Sequence, residues 1–179
     1  DNPSEKLLLT GVTGTNGKTT TATLLFQLFS RLGYRCGLLS TVENKIVDQV
    51  IAATHTTPDP ISLNKLLNEM LLAGCSHAFM EVSSHAVDQE RVAGLNFQGA
   101  IFTNITHDHL DYHQTFENYI KAKKKFFDDL PAKAFALVNA DDKRGMVMLQ
   151  NTRARKVTFG LRKMVDYKAK IVTNTIEGI

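Results

Sequence analysis

The sequence predicts an α/β domain: a mostly parallel β-sheet with helices on both faces and a phosphate-binding loop (P-loop) at its first strand end. Three observations carry this. Short apolar runs alternate with amphipathic stretches of helical period along the chain. A glycine-rich segment, GVTGTNGKTTT at 11–21, separates the first apolar run from the first helical stretch. Residues able to do chemistry follow directly after the apolar runs, where ligands bind in open α/β sheets.

In chain order, KLLLT at 6–10 reads as a buried strand entering a glycine turn. From Lys18 to Leu32, Ala22, Leu25, Leu28, Phe29 and Leu32 recur at spacings of three and four, which predicts an amphipathic helix stopped by Gly33. CGLLST at 36–41 is a second strand, and the alternation in KIVDQVIAA predicts an exposed hairpin or edge strand. Leu63, Leu66, Leu67, Met70 and Leu71 mark a helix closed by Gly74. AFMEV at 78–82, GAIFTNI at 99–105 and AFALVN at 134–139 are further strands, with KVTFG at 156–160 and KIVTNT at 170–175 as late ones.

With 179 residues and no linker, repeat or low-complexity tract, residues 1–179 read as one domain with a single core. Hydrophobic residues make up 43% and charged residues 22%, a globular composition. No run reaches the about 18 apolar residues of a membrane span, and DNPSEK lacks a signal-peptide layout. The two cysteines, Cys36 and Cys75, have no CxxC partner, so neither a disulfide framework nor a zinc knuckle is expected, and a reducing cytoplasm fits. The net charge of +3 is too weak to imply a nucleic-acid partner. It is uneven: residues 1–110 carry 7 basic and 10 acidic side chains, and residues 111–179 carry 14 and 8. The basic half either faces phosphates or, around KAKKK at 121–125, forms a solvated helix face.

At a strand-to-helix junction, successive backbone N–H groups and the positive end of the helix dipole hold phosphate oxygens. Lys18 would then reach the outer phosphates and the Thr19 hydroxyl would ligate Mg²⁺. The strict Walker pattern has glycine where this chain has Val12, so TGTNGKTT is a variant. A glycine turn with a helix cap would explain Gly14 and Gly17 but gives no reason for the lysine. The loop predicts nucleotide binding and leaves the reaction open.

Glu81, at the end of a strand, is either an Mg²⁺ ligand or a hydrogen-bonded structural residue. NITHDHLDYH at 104–113 gathers His107, Asp108, His109, Asp111 and His113, a density that points to a metal or phosphate site. It nearly matches the hydrolase pattern HxHxDH, but Tyr112 occupies the last position. In FENYIKAKKKFF, Phe116, Tyr119, Ile120, Phe126 and Phe127 form one helical stripe with Lys123 in its middle. That lysine either snorkels its charge to the edge, the commoner outcome, or is buried as a neutral amine able to bear a modification.

Taken together, TGTNGKTT, HTTPDP at 55–60, MEVSSHAVDQERV at 80–92, NITHDHLDYH and VNADD at 138–142 resemble the central ATP-binding domain of the Mur ligases. EVSSH and TTPD resemble the branch of that family that adds the third residue of the peptidoglycan stem peptide. The resemblance covers Gly11 to Gly160. It implies that an N-terminal uridine-nucleotide domain, a C-terminal amino-acid domain and the last part of the central domain are absent from this chain.

It further implies a cytoplasmic, monomeric ligase using ATP and Mg²⁺. The D-Glu side-chain carboxylate of UDP-N-acetylmuramoyl-L-Ala-D-Glu would become an acyl phosphate, captured by the amino group of diaminopimelate or lysine. By resemblance, Gly14, Thr15, Asn16, Gly17, Lys18, Thr19 and Thr20 bind ATP, and Glu81 and His109 ligate Mg²⁺ with Thr19. Thr56, Thr57, Ser83, Gln89 and Arg91 contact the muramoyl peptide, and Lys123 is carboxylated by CO₂ and ligates metal. Lys18, His109 and Lys123 form the catalytic set. His55 stands where the family often has Asn. Rival readings are a P-loop regulatory switch, a folate-type amide ligase, and a metal-dependent hydrolase centred on 107–113.

Overall fold

The computed structural model describes residues 2–106 and 110–173. A short 3-10 turn at Pro3–Glu5 leads into β1 (Leu8–Thr13), α1 (Lys18–Arg31) and β2 (Cys36–Leu39). The hairpin β3 (Glu43–Ile46) and β4 (Gln49–Ala52) follows, then α2 (Pro60–Leu72), β5 (His77–Glu81) and α3 (Ser84–Asp88). The second half holds β6 (Gly99–Phe102), α4 (Leu110–His113), α5 (Phe116–Asp128), β7 (Phe135–Asn139), α6 (Gly145–Met148), β8 (Arg155–Gly160) and β9 (Tyr167–Lys168). These strands form one sheet in the order β4-β3-β2-β5-β1-β6-β7-β8-β9. Among the described residues the β2–β3 and β3–β4 pairings at one edge are antiparallel and the other strand pairs are parallel.

Each helix boundary has a local cause. Asp59 caps α2 by accepting from Ile61 and Ser62 N–H at 3.0 and 3.1 Å, with Pro60 in the first turn. The Thr115 hydroxyl accepts from Asn118 N–H at 3.1 Å to start α5. Left-handed Gly33 and Gly74 follow α1 and α2.

Helices cover both faces. On one, Val12, Leu38, Phe79 and Ile101 of the strands pack against Ala22 and Phe26 of α1. On the other, Leu9, Met80, Ala100, Phe102 and Val138 pack under Leu63, Leu67 and Met70 of α2 and Tyr119, Phe126 and Phe127 of α5. Removal of these apolar side chains from water is the dominant stabilising term.

Three expectations are corrected. The first strand is Leu8–Thr13 rather than 6–10, because Gly11 is a strand residue. A Cβ there would lie 2.5 Å from Phe126 and 2.9 Å from Phe97, so glycine serves close helix packing. The α1 stripe is shifted: Ala22 and Phe26 are buried while Leu28 and Leu32 are exposed. No strand forms over 170–173, and the last described strand is Tyr167–Lys168; residues 174 and 175 lie outside the described residues.

Candidate active site

The carboxyl ends of β1, β5 and β6 lie side by side, with β1 between β5 and β6. From β1 the chain turns through Gly14–Gly17 into α1, whose N-cap is left-handed Gly17 with no side-chain cap. A helix start without a side-chain cap is the arrangement that receives anions. Lys18 Nζ lies over the loop, donating to the carbonyls of Gly14 at 3.0 Å and Thr15 at 2.9 Å.

The loop's earlier N–H groups point elsewhere. Thr15 N–H donates to the Asn104 carbonyl at 2.8 Å and Asn16 N–H to Asn104 Oδ1 at 3.0 Å. The Thr15 hydroxyl bonds Tyr119 at 3.1 Å and accepts from Thr106 N–H at 3.0 Å. Of the seven loop residues expected at a nucleotide, Thr15 and Asn16 thus hold the loop's shape through their backbone. Gly17 is the N-cap of α1, and Lys18, Thr19 and Thr20 make up its first turn.

Glu81 ends β5 fully buried. One carboxylate oxygen accepts from Thr41 N–H at 2.7 Å, and the other has no hydrogen-bond partner. A buried carboxylate oxygen left unpaired is costly, and a cation beside it removes the cost. Lys123 is 1% exposed, so it does not snorkel. Its Nζ donates to Gly14 O at 3.0 Å and Thr13 Oγ1 at 3.4 Å and sits 4.7 Å from the centre of the Tyr119 ring. A cavity of about 380 Å³ is lined by Lys18, Thr19, Glu81 and Lys123 together with Thr56, Thr57, Ser83 and Arg91.

That second group is prearranged. Thr57 Oγ1 donates to the Glu81 carbonyl at 2.9 Å and accepts from Ser83 N–H at 3.2 Å. Arg91 donates to the Thr57 carbonyl at 3.0 Å and through Nε to Gln89 Oε1 at 2.9 Å. Thr56 Oγ1 accepts from Thr41 Oγ1 at 3.1 Å. Larger hollows, of about 910 Å³ beside β8 and β9 and about 750 Å³ at the amino ends of β6 and β7, do not touch the glycine loop.

The description "Mur ligase middle domain" matches residues 12–179. The chain belongs to the Mur ligase family. A Cytophaga hutchinsonii protein named UDP-N-acetylmuramoyl-L-alanyl-D-glutamate--2,6-diaminopimelate ligase is 65% identical over 179 residues, which is 100% of this chain and 37% of that protein. The ligase of the same name from Parabacteroides distasonis is 62% identical over 176 residues, 98% of this chain and 36% of that protein. A solved structure of a ligase of that name superposes with a TM-score of 0.82 at 34% identity, covering 90% of this chain and 34% of the other. The ligase MurF from Thermotoga maritima in complex with ADP shares the fold, with a TM-score of 0.65 at 19% identity over 90% of this chain and 35% of the other. The Mur ligase chain thus spans about 37% of the length of the curated relatives it matches.

His109 of the Mur ligase chain lies outside the described residues, with His107 and Asp108. His113 is buried and its Nε2 meets Ser84 Oγ at 2.9 Å, which ties α4 to α3. Among the described residues no group of three His, Cys, Asp or Glu side chains is arranged to hold a metal. The lysine run is a solvated face: Lys121, Lys124 and Lys125 pair with Glu117, Asp128 and Asp129 at 2.7–2.8 Å. Sequence reasoning missed Thr41, His85, Asn104 and Tyr112. Thr41 and His85 line the cavity, while the Tyr112 hydroxyl donates to Asp88 at 2.8 Å and accepts from Gln89 at 3.2 Å. Asn104 and Tyr112 stand within NITHDHLDYH, but their partners are far away in sequence.

Proposed function

We propose that this Mur ligase chain is the nucleotide-binding part of an ATP- and Mg²⁺-dependent ligase joining UDP-N-acetylmuramoyl-L-Ala-D-Glu to 2,6-diaminopimelate. The names of the relatives support the two substrates. The observation that carries the reading is one cavity lined by Lys18, Thr19, Glu81 and Lys123 and by Thr57, Ser83 and Arg91. An unactivated carboxylate is a poor acyl donor; bound Mg·ATP supplies the phosphoryl group that turns it into an acyl phosphate and the charge that stabilises the transfer.

The first turn of α1 and Lys18 hold the phosphates. The unpaired oxygen of Glu81 and the Thr19 hydroxyl fit the requirements of Mg²⁺, a hard cation that takes oxygen ligands. Arg91, steadied by Gln89 and the Thr57 carbonyl, presents a guanidinium to an anionic group of the peptide, with Thr56, Thr57 and Ser83 beside it. His109 is assigned as a further metal ligand by family position. Lys123 carries a carbamate in the working enzyme: the neutral amine attacks CO₂, an N–C bond forms, and one proton leaves. Its charge then changes from a cation that repels metal to an anionic oxygen ligand. We read the enzyme as a cytoplasmic monomer, in keeping with two free, buried cysteines.

In the full-length protein, amide product should require ATP, the muramoyl dipeptide and diaminopimelate together. Lys18→Ala removes a charge-assisted phosphate contact that contributes about 1.5–3 kcal/mol, roughly tenfold or more in affinity. Calorimetric titration of Mg·ATP checks this, and equal affinities for the two proteins overturn the phosphate-loop reading. A regulatory switch would instead turn over nucleotide without response to the muramoyl dipeptide.

A further inference from the structure

The side chain of Asn104 grips the phosphate loop at two points. Asn16 N–H donates to its Oδ1 at 3.0 Å, and its Nδ2 donates to the Asn16 carbonyl at 3.1 Å. The primary amide thereby acts like the backbone of a neighbouring strand, closing a hydrogen-bonded ring on one residue. The Asn104 main chain adds a third bond, its carbonyl accepting from Thr15 N–H at 2.8 Å. Thr103 Oγ1 donates to the same Asn16 carbonyl at 2.7 Å.

Two features make this grip rigid. A Cβ at Gly14 would collide with Thr103 Oγ1 and lie 3.0 Å from the Asn104 carbonyl, so glycine lets the loop approach this closely. The residues flanking Asn104 are themselves anchored. Thr103 N–H donates to Thr13 O at 3.1 Å, the Thr103 carbonyl accepts from Asn139 Nδ2 at 2.9 Å, and Ile105 N–H donates to Asp142 Oδ2 at 2.9 Å. Asn104 therefore stands on a segment fixed to β1 on one side and to the end of β7 on the other.

We infer that Asn104 is the positioning residue of the nucleotide site: it engages the N–H groups of Thr15 and Asn16 so that the loop presents a preset row of donors beginning at Gly17. Without it those two N–H groups would be free to turn outward, and the loop would have to be ordered by the incoming phosphates. Donors fixed in advance bind an anion without that ordering cost. The inference rests on the nucleotide reading above and deepens it, since none of Asn104's own atoms need touch the nucleotide.

The test uses the full-length protein and two variants. Asn104→Asp keeps the shape and the acceptor for Asn16 N–H but sets an oxygen against the Asn16 carbonyl; Asn104→Ala removes both bonds. Mg·ATP affinity is measured by calorimetry, amide hydrogen exchange at Thr15 and Asn16 without nucleotide, and KM for the muramoyl dipeptide from the rate of amide formation. Both variants should lose at least tenfold in nucleotide affinity with the dipeptide KM within twofold of wild type, and Asn104→Ala, which removes the acceptor, should exchange the Asn16 amide at least tenfold faster. Wild-type nucleotide affinity in either folded variant overturns the inference. So does faster exchange spread evenly over the sheet, which would mark general destabilisation. If wild type itself binds no nucleotide, the functional reading fails instead, and protection of the Asn16 amide alone decides whether the clamp exists.

Discussion

Replacing Lys123 separates the packing of its stem from the chemistry of its amine. The ammonium makes hydrogen bonds to Gly14 O at 3.0 Å and Thr13 Oγ1 at 3.4 Å and lies 4.7 Å from the Tyr119 ring centre. Bonds to a charged group contribute about 1.5–3 kcal/mol each and a desolvated cation–π contact about 2. Against this stands a desolvation penalty of several kcal/mol for a buried ion. The terms nearly cancel. Lys123→Met keeps an unbranched apolar stem, and Gly14 O keeps Lys18 Nζ as a donor at 3.0 Å. Its stability should change by no more than about 2 kcal/mol, or roughly 4–8 °C in Tm for a domain of this size. Lys123→Ala leaves a cavity among Tyr119, Phe126 and Phe127 and should cost about 2–5 kcal/mol. Both variants should lose amide formation in the full-length protein. Only Lys123→Ala leaves room for a short-chain carboxylic acid to stand where the carbamate would, so added acid should restore part of its activity and none to Lys123→Met. Thermal melts and a coupled assay of ATP-dependent ligation read the two arms. Full activity of either variant without added acid refutes the carbamate role, and a Met variant less stable than the Ala variant refutes the packing ledger.

Two further perturbations probe the loop and the sheet edge. Gly14→Ala should cost about 2–5 kcal/mol from overpacking against Thr103 and from the positive φ, and should abolish Mg·ATP binding; urea unfolding with calorimetry checks both, and unchanged stability would mean the loop tolerates a side chain. Asp141 accepts N–H bonds from Leu161, Arg162 and Lys163, led by Leu161, and these hold its carboxyl below the unfolded value of 3.8. A depressed carboxyl adds stability that is full above the unfolded pKa and is lost as pH falls through the folded one. Asp141→Asn should therefore flatten the pH dependence of the urea midpoint as pH falls below the carboxyl's unfolded value of 3.8, whereas identical profiles would show that the loop tether adds nothing.

Much of the architecture was legible because it is local. The strand–glycine–helix order, the stops at Gly33 and Gly74 and the placement of Lys123 on the buried stripe of α5 all follow from periodicities within a few turns. What was not legible depends on which strands become neighbours. Asn104 meets Asn16 because β6 pairs with β1, a pairing that joins residues 88 apart in sequence. Tyr112 meets Asp88 and Gln89 because α4 lies over α3, and His113 meets Ser84 for the same reason. Gly11 opens the glycine-rich segment in the sequence, and only the approach of Phe126 gives it a different cause. Spacing alone favoured a snorkelling Lys123, because period shows direction but not how far the packed layer extends beyond it.

The register of the parallel sheet explains why carboxylate and lysine reach the same cavity from opposite faces. Side chains two apart in a strand share a face, so Glu81 lies on the side of Phe79, which packs against α1 with Val12. Met80 and Val82, one residue either way, belong to the core on the other side. Val12 pairs with Glu81, which brings the carboxylate level with the last turn of chain before the loop, where the first turn of α1 carries Lys18 and Thr19. A slip of one residue would put Met80 or Val82 there and drive the carboxylate into the apolar layer. Lys123 comes from α5 on that other face and reaches Thr13 and Gly14, where β1 ends and the sheet no longer separates its two sides. The cavity therefore lies where β1 ends at Thr13, level with the ends of β5 at Glu81 and β6 at Phe102. A residue inserted into β1 after Val12 would turn the Thr13 side chain to the opposite face and take its hydroxyl away from Lys123.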